Sequence, residues 1–110
     1  MENTISQLIK VAENEPTIKR MWIFGSRYKG TNHPESDLDL AVELEWVKGQ
    51  QLGFCEDALS LWVAATPRFA NKLKNCCYWK LDLQQYSGIR ETPRIHSYLQ
   101  EASLLIYEKA

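Results

Sequence analysis

From Asp37 to Glu45 the sequence alternates without a break, Asp37, Asp39, Ala41 and Glu43 interleaving with Leu38, Leu40, Val42 and Leu44. Side chains two apart share one face of a strand, so this segment predicts a strand over 37–45 with its leucine face buried. The same pattern puts two carboxylates, Asp37 and Asp39, side by side on the other face. Upstream, separated from Asp37 by ten residues, stands a Gly25-Ser26 pair. It closes a second apolar and aromatic run, Arg20 to Phe24, which reads as a short, largely buried strand. Between them, 27–35 carries Gly30, Asn32 and Pro34 and reads as a loop.

The rest of the chain supplies helices and a third strand. Residues 4–14 place Ile5, Leu8, Ile9 and Ala12 on one helical face, with Thr4 and Gln7 as a capping box and Pro16 as the stop. A helical stretch is expected over 54–65, with Leu59, Trp62 and Val63 on one side, and a short second helix after Thr66-Pro67 to about Lys74. Residues 78–84 alternate again, with Trp79, Leu81 and Leu83 against Tyr78, Lys80, Asp82 and Gln84. Thr92-Pro93 starts a closing helix whose stripe is Ile95, Leu99, Ala102, Leu105 and Ile106. The order helix, strand, strand, helix, strand, helix predicts an α/β (α+β) fold, a small mixed sheet with helices packed on one face.

At 110 residues the chain is expected to be one domain, 1–110. Its net charge of −1 argues against a binder of long nucleic acid, which carries a basic face. A nucleotide substrate is still allowed, because its charge can be met locally. Cys55, Cys76 and Cys77 show no metal-knuckle spacing and read as buried or free thiols in a reducing compartment. The N-terminus lacks an apolar signal core and no apolar run could span a bilayer, so a cytoplasmic protein without a membrane partner is expected.

Two adjacent carboxylates repel unless a cation lies between them, and magnesium is the hard divalent ion that takes oxygen ligands and travels with phosphates. The small-residue turn at Gly25-Ser26 offers backbone N–H groups to a phosphate chain. Either feature alone is common on protein surfaces; the weight comes from their combination with Asp82. If its strand pairs beside Asp37 and Asp39, three carboxylates converge. Like charges roughly 4 Å apart cost about 1 kcal/mol in water and several in a less polar setting, a cost that a metal offsets. Two metal ions would be held by Asp37, Asp39 and Asp82, one orienting a triphosphate and one activating an attacking hydroxyl. Asp82 is also placed to take the nucleophile's proton. Ser26 and the backbone after Gly25 would hold terminal phosphates, and Arg27 would neutralise charge on the leaving pyrophosphate. The pattern reads as a site for moving nucleotides.

Gly25-Ser26-Arg27, Gly30 and Ser36-Asp37-Leu38-Asp39-Leu40 resemble the signature of the DNA polymerase beta-type nucleotidyltransferase superfamily, and most closely its minimal (MNT) branch. The Lys80-Leu81-Asp82-Leu83 strand is similar to that family's third-carboxylate strand. The resemblance extends over most of the chain. It implies the nucleotidyltransferase fold and magnesium-dependent transfer of a nucleoside monophosphate from an NTP, AMP from ATP being the expected case. It implies that Asp37, Asp39 and Asp82 are the metal-binding carboxylates and that Gly25 and Ser26 form the phosphate-holding turn. Members of this branch often work with a helical HEPN-type protein, in some pairs as the antitoxin that adenylylates a toxic RNase, so such a partner in a homo- or hetero-oligomer is the corresponding expectation. Two other functions compete: a non-catalytic module that neutralises a partner by contact, and a subunit acting on a small molecule or an RNA end. A chain too short for an acceptor domain favours an acceptor on another protein.

Other residues carry blander readings. In the signature loop Lys29 could assist Arg27 on phosphate or be an ordinary exposed lysine, and His33 could touch a phosphate or base but reads first as a solvated loop histidine; His96 is expected at the surface near the start of the last helix. Trp22, Trp62 and Trp79 are expected in the core. Trp46 could anchor an interface or fold back on its own domain, and Tyr28 could stack on a base or pack locally. Asp57 competes with Asp82 but falls in a helical stretch.

Overall fold

The computed structural model describes residues 2–25, 37–45, 57–77 and 79–109. Ser26, Arg27, Tyr28, Lys29, Gly30, His33, Trp46 and Cys55 lie outside them. In chain order the elements are α1 (Glu2–Glu13), β1 (Ile18–Phe24), β2 (Leu38–Leu44), α2 (Ala58–Ala65), a 3-10 turn (Thr66–Arg68) and α3 (Ala70–Asn75). Then follow β3 (Leu81–Tyr86), the single turn α4 (Gly88–Glu91), α5 (Pro93–Glu101) and β4 (Ser103–Glu108).

The strands form one mixed sheet in the order β3-β2-β1-β4. β1 runs antiparallel to both β2 and β4, and β2 runs parallel to β3. The alternation in β2 is realised, since Leu38, Leu40, Val42 and Leu44 are all buried. They pack with Met21 and Ile23 of β1 and with Leu8, Ala12, Leu61, Ala65, Phe69 and Leu73 from α1, α2 and α3. The expected helical layer on one face is therefore present. Phe24 and Ala41 are also buried but stand outside that cluster, on the face that carries Asp39. There α5 crosses the sheet, with Tyr98 stacked on Phe24 and His96 on Tyr86.

The chain's end departs from expectation. Leu105 and Ile106 do not continue the helix: α5 stops at Glu101, Ala102 is extended (φ −163, ψ 115), and Ser103–Glu108 forms an edge strand. The stripe that suggested a helix over Ile95 to Ile106 mixes two periods, and the run Leu-Leu-Ile-Tyr reads equally well as strand. β1 decides between them, because pairing along its second edge satisfies the backbone groups of both strands within the chain. Leu104 and Leu105 remain 42% and 45% exposed on that edge.

Smaller corrections have local causes. α1 begins at Glu2, so Thr4 lies within its first turn rather than at a cap. Thr92 makes no side-chain bond to cap α5. Its hydroxyl accepts from Ser87 N–H and donates to the Gly88 carbonyl, tying the β3–α4 corner. Pro67 opens a 3-10 turn, and α3 follows it. On α2 the buried face is Ala58, Leu61 and Ala65, while Leu59 and Val63 are 69% and 65% exposed. Trp62 and Trp79 pack half-buried against the core. Trp22 instead sits on the opposite face, edge-on to Tyr86 with ring centroids 5.1 Å apart. His96 is half-buried rather than at the surface, its Nδ1 2.9 Å from the Tyr86 hydroxyl. Cys76 and Cys77 are free thiols, and burial raises both; burial first and Cys76 second push Cys77 to about 11. No helix among the described residues is long and apolar enough to cross a membrane.

Glu15 links the helical layer to the sheet. It is 7% exposed and accepts from the Thr17 hydroxyl at 2.9 Å and from Arg68 Nε at 3.1 Å. Removing it strands the Thr17 hydroxyl in the interior and frees Arg68 into water. Glu15→Ala is expected to lower unfolding free energy by about 2 kcal/mol, within the range for breaking a buried charged hydrogen bond. Urea denaturation measures it.

Candidate active site

The sheet register assembles the site. Asp39 is the direct neighbour of Asp82 across the parallel β2–β3 pair, and of Phe24 across the antiparallel β1–β2 pair. Asp82 therefore stands beside Asp39, where the alternation of its own segment placed it only on a polar face. The two carboxyl groups stand close enough for hydrogen bonding to Asp82 to be among the causes that raise the Asp39 carboxyl. Gln84, two residues on and on the same face, donates to Asp82 Oδ1 at 2.8 Å. Its spacing from Asp82 was the signal that could have revealed it.

The electrostatics follow. Burial raises the Asp39 carboxyl, the shared hydrogen bond and charge of Asp82 raise it further, and the charge of Asp37 adds to this, so that it reaches about 6 against an ordinary 3.8. Asp37 stands just before β2 and acts on Asp39 through that charge. The structure thus pairs Asp39 with Asp82 and keeps Asp37 within electrostatic reach. Among the described residues no three His, Cys, Asp or Glu side chains are grouped as a ready metal site. The donor set nonetheless fits a hard divalent cation. All its ligating atoms would be carboxylate oxygens, and a divalent cation would offset the like charges brought together there.

Gly25 ends β1 against this pair. Its φ is +80, and a Cβ there would lie 1.9 Å from Asp39 Oδ2. The turn is thus glycine for two reasons, its left-handed backbone and its contact with the acid. Ser26 and Arg27 lie outside the described residues. Beside Gly25 opens a cavity of about 240 Å³ lined by Phe24, Gly25, Asp39, Tyr98 and Glu101. Neither Tyr98 nor Glu101 stood out in the sequence, since only the path of α5 over the sheet brings them to Asp39. A larger cavity, about 590 Å³, is lined by Asp57, Ala58 and 87–91. It lies past the far end of β3 from Asp82, so size alone does not identify the site. Asp57 caps α2, accepting from Ser60 N–H at 2.7 Å, and that bond lowers its carboxyl. It has no part in the acidic face.

The geometry agrees with the family comparison. The family model described as "Polymerase beta, Nucleotidyltransferase" matches residues 6–110. The chain belongs to this nucleotidyltransferase family. Its fold is shared by solved structures of toxin–antitoxin proteins. One, a toxin–antitoxin with AMP-PNP, is 20% identical with a TM-score of 0.63, over 96% of this chain and 73% of that one. Another, a mutant of the toxin–antitoxin MntA-HpeT, is 18% identical with the same TM-score and coverage. A search of curated proteins by sequence found no match.

Proposed function

We propose that this chain is a magnesium-dependent nucleotidyltransferase, acting as one cytoplasmic domain over residues 1–110, that moves AMP from ATP to a hydroxyl on a partner protein. We further propose that it is the antitoxin of a pair whose other member is a helical HEPN-type protein. The observation that carries the reading is the register that sets Asp39 beside Asp82 and against Gly25. The family match supports nucleotidyl transfer. The partner reading draws on the two toxin–antitoxin structures, one of which contains AMP-PNP, and the other of which is a mutant with two aspartates, separated by one residue, changed to glutamate.

In this reading Asp37, Asp39 and Asp82 hold magnesium, which when bound neutralises phosphate charge and acidifies the attacking hydroxyl. Gly25 and Ser26 hold the terminal phosphates through backbone N–H groups and the serine hydroxyl. The acceptor oxygen attacks the α-phosphorus, the bond from that phosphorus to the bridging oxygen breaks, and pyrophosphate leaves with its charge met by Arg27. The hydroxyl proton passes to Asp82, whose other oxygen is steadied by Gln84.

The test is transfer itself. The chain is incubated with α-labelled ATP, magnesium and the helical protein encoded beside it. Label should appear on that protein and fall to background with the Asp37→Asn, Asp39→Asn double variant. Undiminished labelling by the variant would sink the mechanism. A variant that transfers nothing yet still protects cells would favour neutralisation by contact.

A further inference from the structure

Asp82 stands on β3, the end strand of the sheet. Leu38 N–H donates to the Lys80 carbonyl at 2.9 Å, and the parallel register sets Leu38 level with Leu81. Backbone groups alternate sides along a paired strand, so Lys80, Asp82, Gln84 and Tyr86 turn theirs towards β2. Those of Leu81, Leu83 and Gln85 turn to the opposite edge, where no strand among the described residues pairs with them. Such an edge is a template for a further strand, which natural sheets blunt with proline, lysine or a bulge. Between Leu81 and Tyr86 there is neither proline nor lysine, and the register with β2 is unbroken. Leu83, Gln84 and Gln85 line a groove of about 460 Å³ whose walls include Trp62 of α2 and Pro93 and Arg94 of α5. Successive residues of a helix turn by about 100°, so the exposed Leu59 and Val63 follow Trp62 around α2 and extend its apolar wall.

Asp82 decides what covers this edge. In the proposed reaction the acceptor hydroxyl gives its proton to Asp82, and a strand paired with β3 lies about 4.8 Å from it. The residue of that strand level with Asp82 projects onto the acidic face. The next projects to the other face, beside Leu83 and Trp62, and the third returns to the acidic face, level with Gln84. Arg94 lines the groove with Gln84, is exposed, and has no ion pair among the described residues. Glu91 also borders the cavity at 87–91 past the end of β3, which leaves Arg94 as the charge beside the strand itself. We propose that the acceptor protein binds by adding an extended segment to the open edge of β3. Its hydroxyl residue lies beside Asp82, an apolar residue beside Leu83, and an acidic residue beside Gln84 and within reach of Arg94. The inference rests on the reading of nucleotidyl transfer to a partner protein given above.

In strand addition the main chain supplies affinity and the alternating side chains supply specificity, so each is tested separately. Amide hydrogen exchange is followed in the full-length chain, alone and with the helical protein encoded beside it, without ATP. With the partner, the amides of Leu83 and Gln85 should slow about tenfold, the scale of one backbone hydrogen bond. Those of Asp82 and Gln84, already bonded to β2, should change little. In the labelling assay Arg94→Glu should raise the KM for the partner about fivefold, the upper range for an exposed ion pair, and leave calorimetric binding of magnesium-ATP unchanged. Mass spectrometry of the labelled partner should place AMP on a serine, threonine or tyrosine two residues from an acid. Changing that acid to lysine should restore the KM with Arg94→Glu. A labelled residue with no acid two positions away would overturn the proposal, as would an unchanged KM in Arg94→Glu or unaltered exchange at Leu83 and Gln85. Slowing of those amides as the concentration of the chain alone rises would put a second copy on the edge and overturn it too. No labelling by the wild-type chain would overturn the transfer reading itself, and this inference with it.

Discussion

Gly25→Ala is expected to cut nucleotidyl transfer by about 100-fold, the loss that follows when a reacting group is displaced by about 1 Å. The new Cβ would sit 1.9 Å from Asp39 Oδ2, and φ at this position is +80. The carboxylate cannot keep its place beside Asp82 unless the backbone of β1 moves, and the backbone is held by pairing on both sides. The left-handed conformation adds a stability cost of about 1–2 kcal/mol for a residue with a side chain. Gly88 separates the two effects. It has φ +83 but nothing within 4 Å of its would-be Cβ. Gly88→Ala should therefore show a similar loss of stability in urea and a wild-type single-turnover labelling rate. Full activity in Gly25→Ala would show that the position of Asp39 is not needed for transfer.

Asp39→Asn should abolish transfer and, in the same protein, raise the thermal unfolding midpoint at neutral pH in the absence of metal. The Asp39 carboxyl is raised to about 6 by burial and by its acidic neighbours, whereas in the unfolded chain it returns to the ordinary value of 3.8. Between those values the folded protein binds more protons than the unfolded one, so stability falls as pH rises from about 4 to about 6. Below that window the proton offsets the repulsion. Above it the folded state carries the full strain of adjacent charges. An amide keeps the shape, carries no charge and can donate to Asp82, so the variant should lose the decline contributed by this residue. Melting curves in chelator across pH 4 to 7.5 measure it. Magnesium should restore the wild type at neutral pH and do little for the variant. A wild-type midpoint that rose steadily across this range, with Asp39→Asn following the same curve, would contradict the account of the site. Stability lost where function needs like charges together is a common trade.

Much of this site was legible before any coordinates because strand periodicity is a short-range code. The faces of Asp39 and Leu40 follow from pleat geometry alone, and the buried leucines of β2 obey it. The Gly25 turn was legible because a positive φ and a close approach both demand the one residue without a side chain. The C-terminal strand was not. Ser103–Glu108 has helical and extended readings of similar merit, and the choice was made by an open sheet edge some eighty residues earlier in the chain. The surroundings of His96 and Tyr98 were equally hidden, since both depend on where α5 crosses the sheet rather than on its own pattern.

The sequence by itself determined the acidic strand, the glycine turn before it and the polar position of Asp82, since each rests on neighbours within a few residues. Only the tertiary structure decided that Asp82 stands against Asp39, because strand order and register are set by the whole core packing under the sheet. Tertiary structure alone also brought Phe24 and Tyr98 together beside them. Contacts between residues so far apart in the chain have no periodic signature. They exist only once the leucine face is buried, which leaves the opposite face to carry the acidic pair and the cavity.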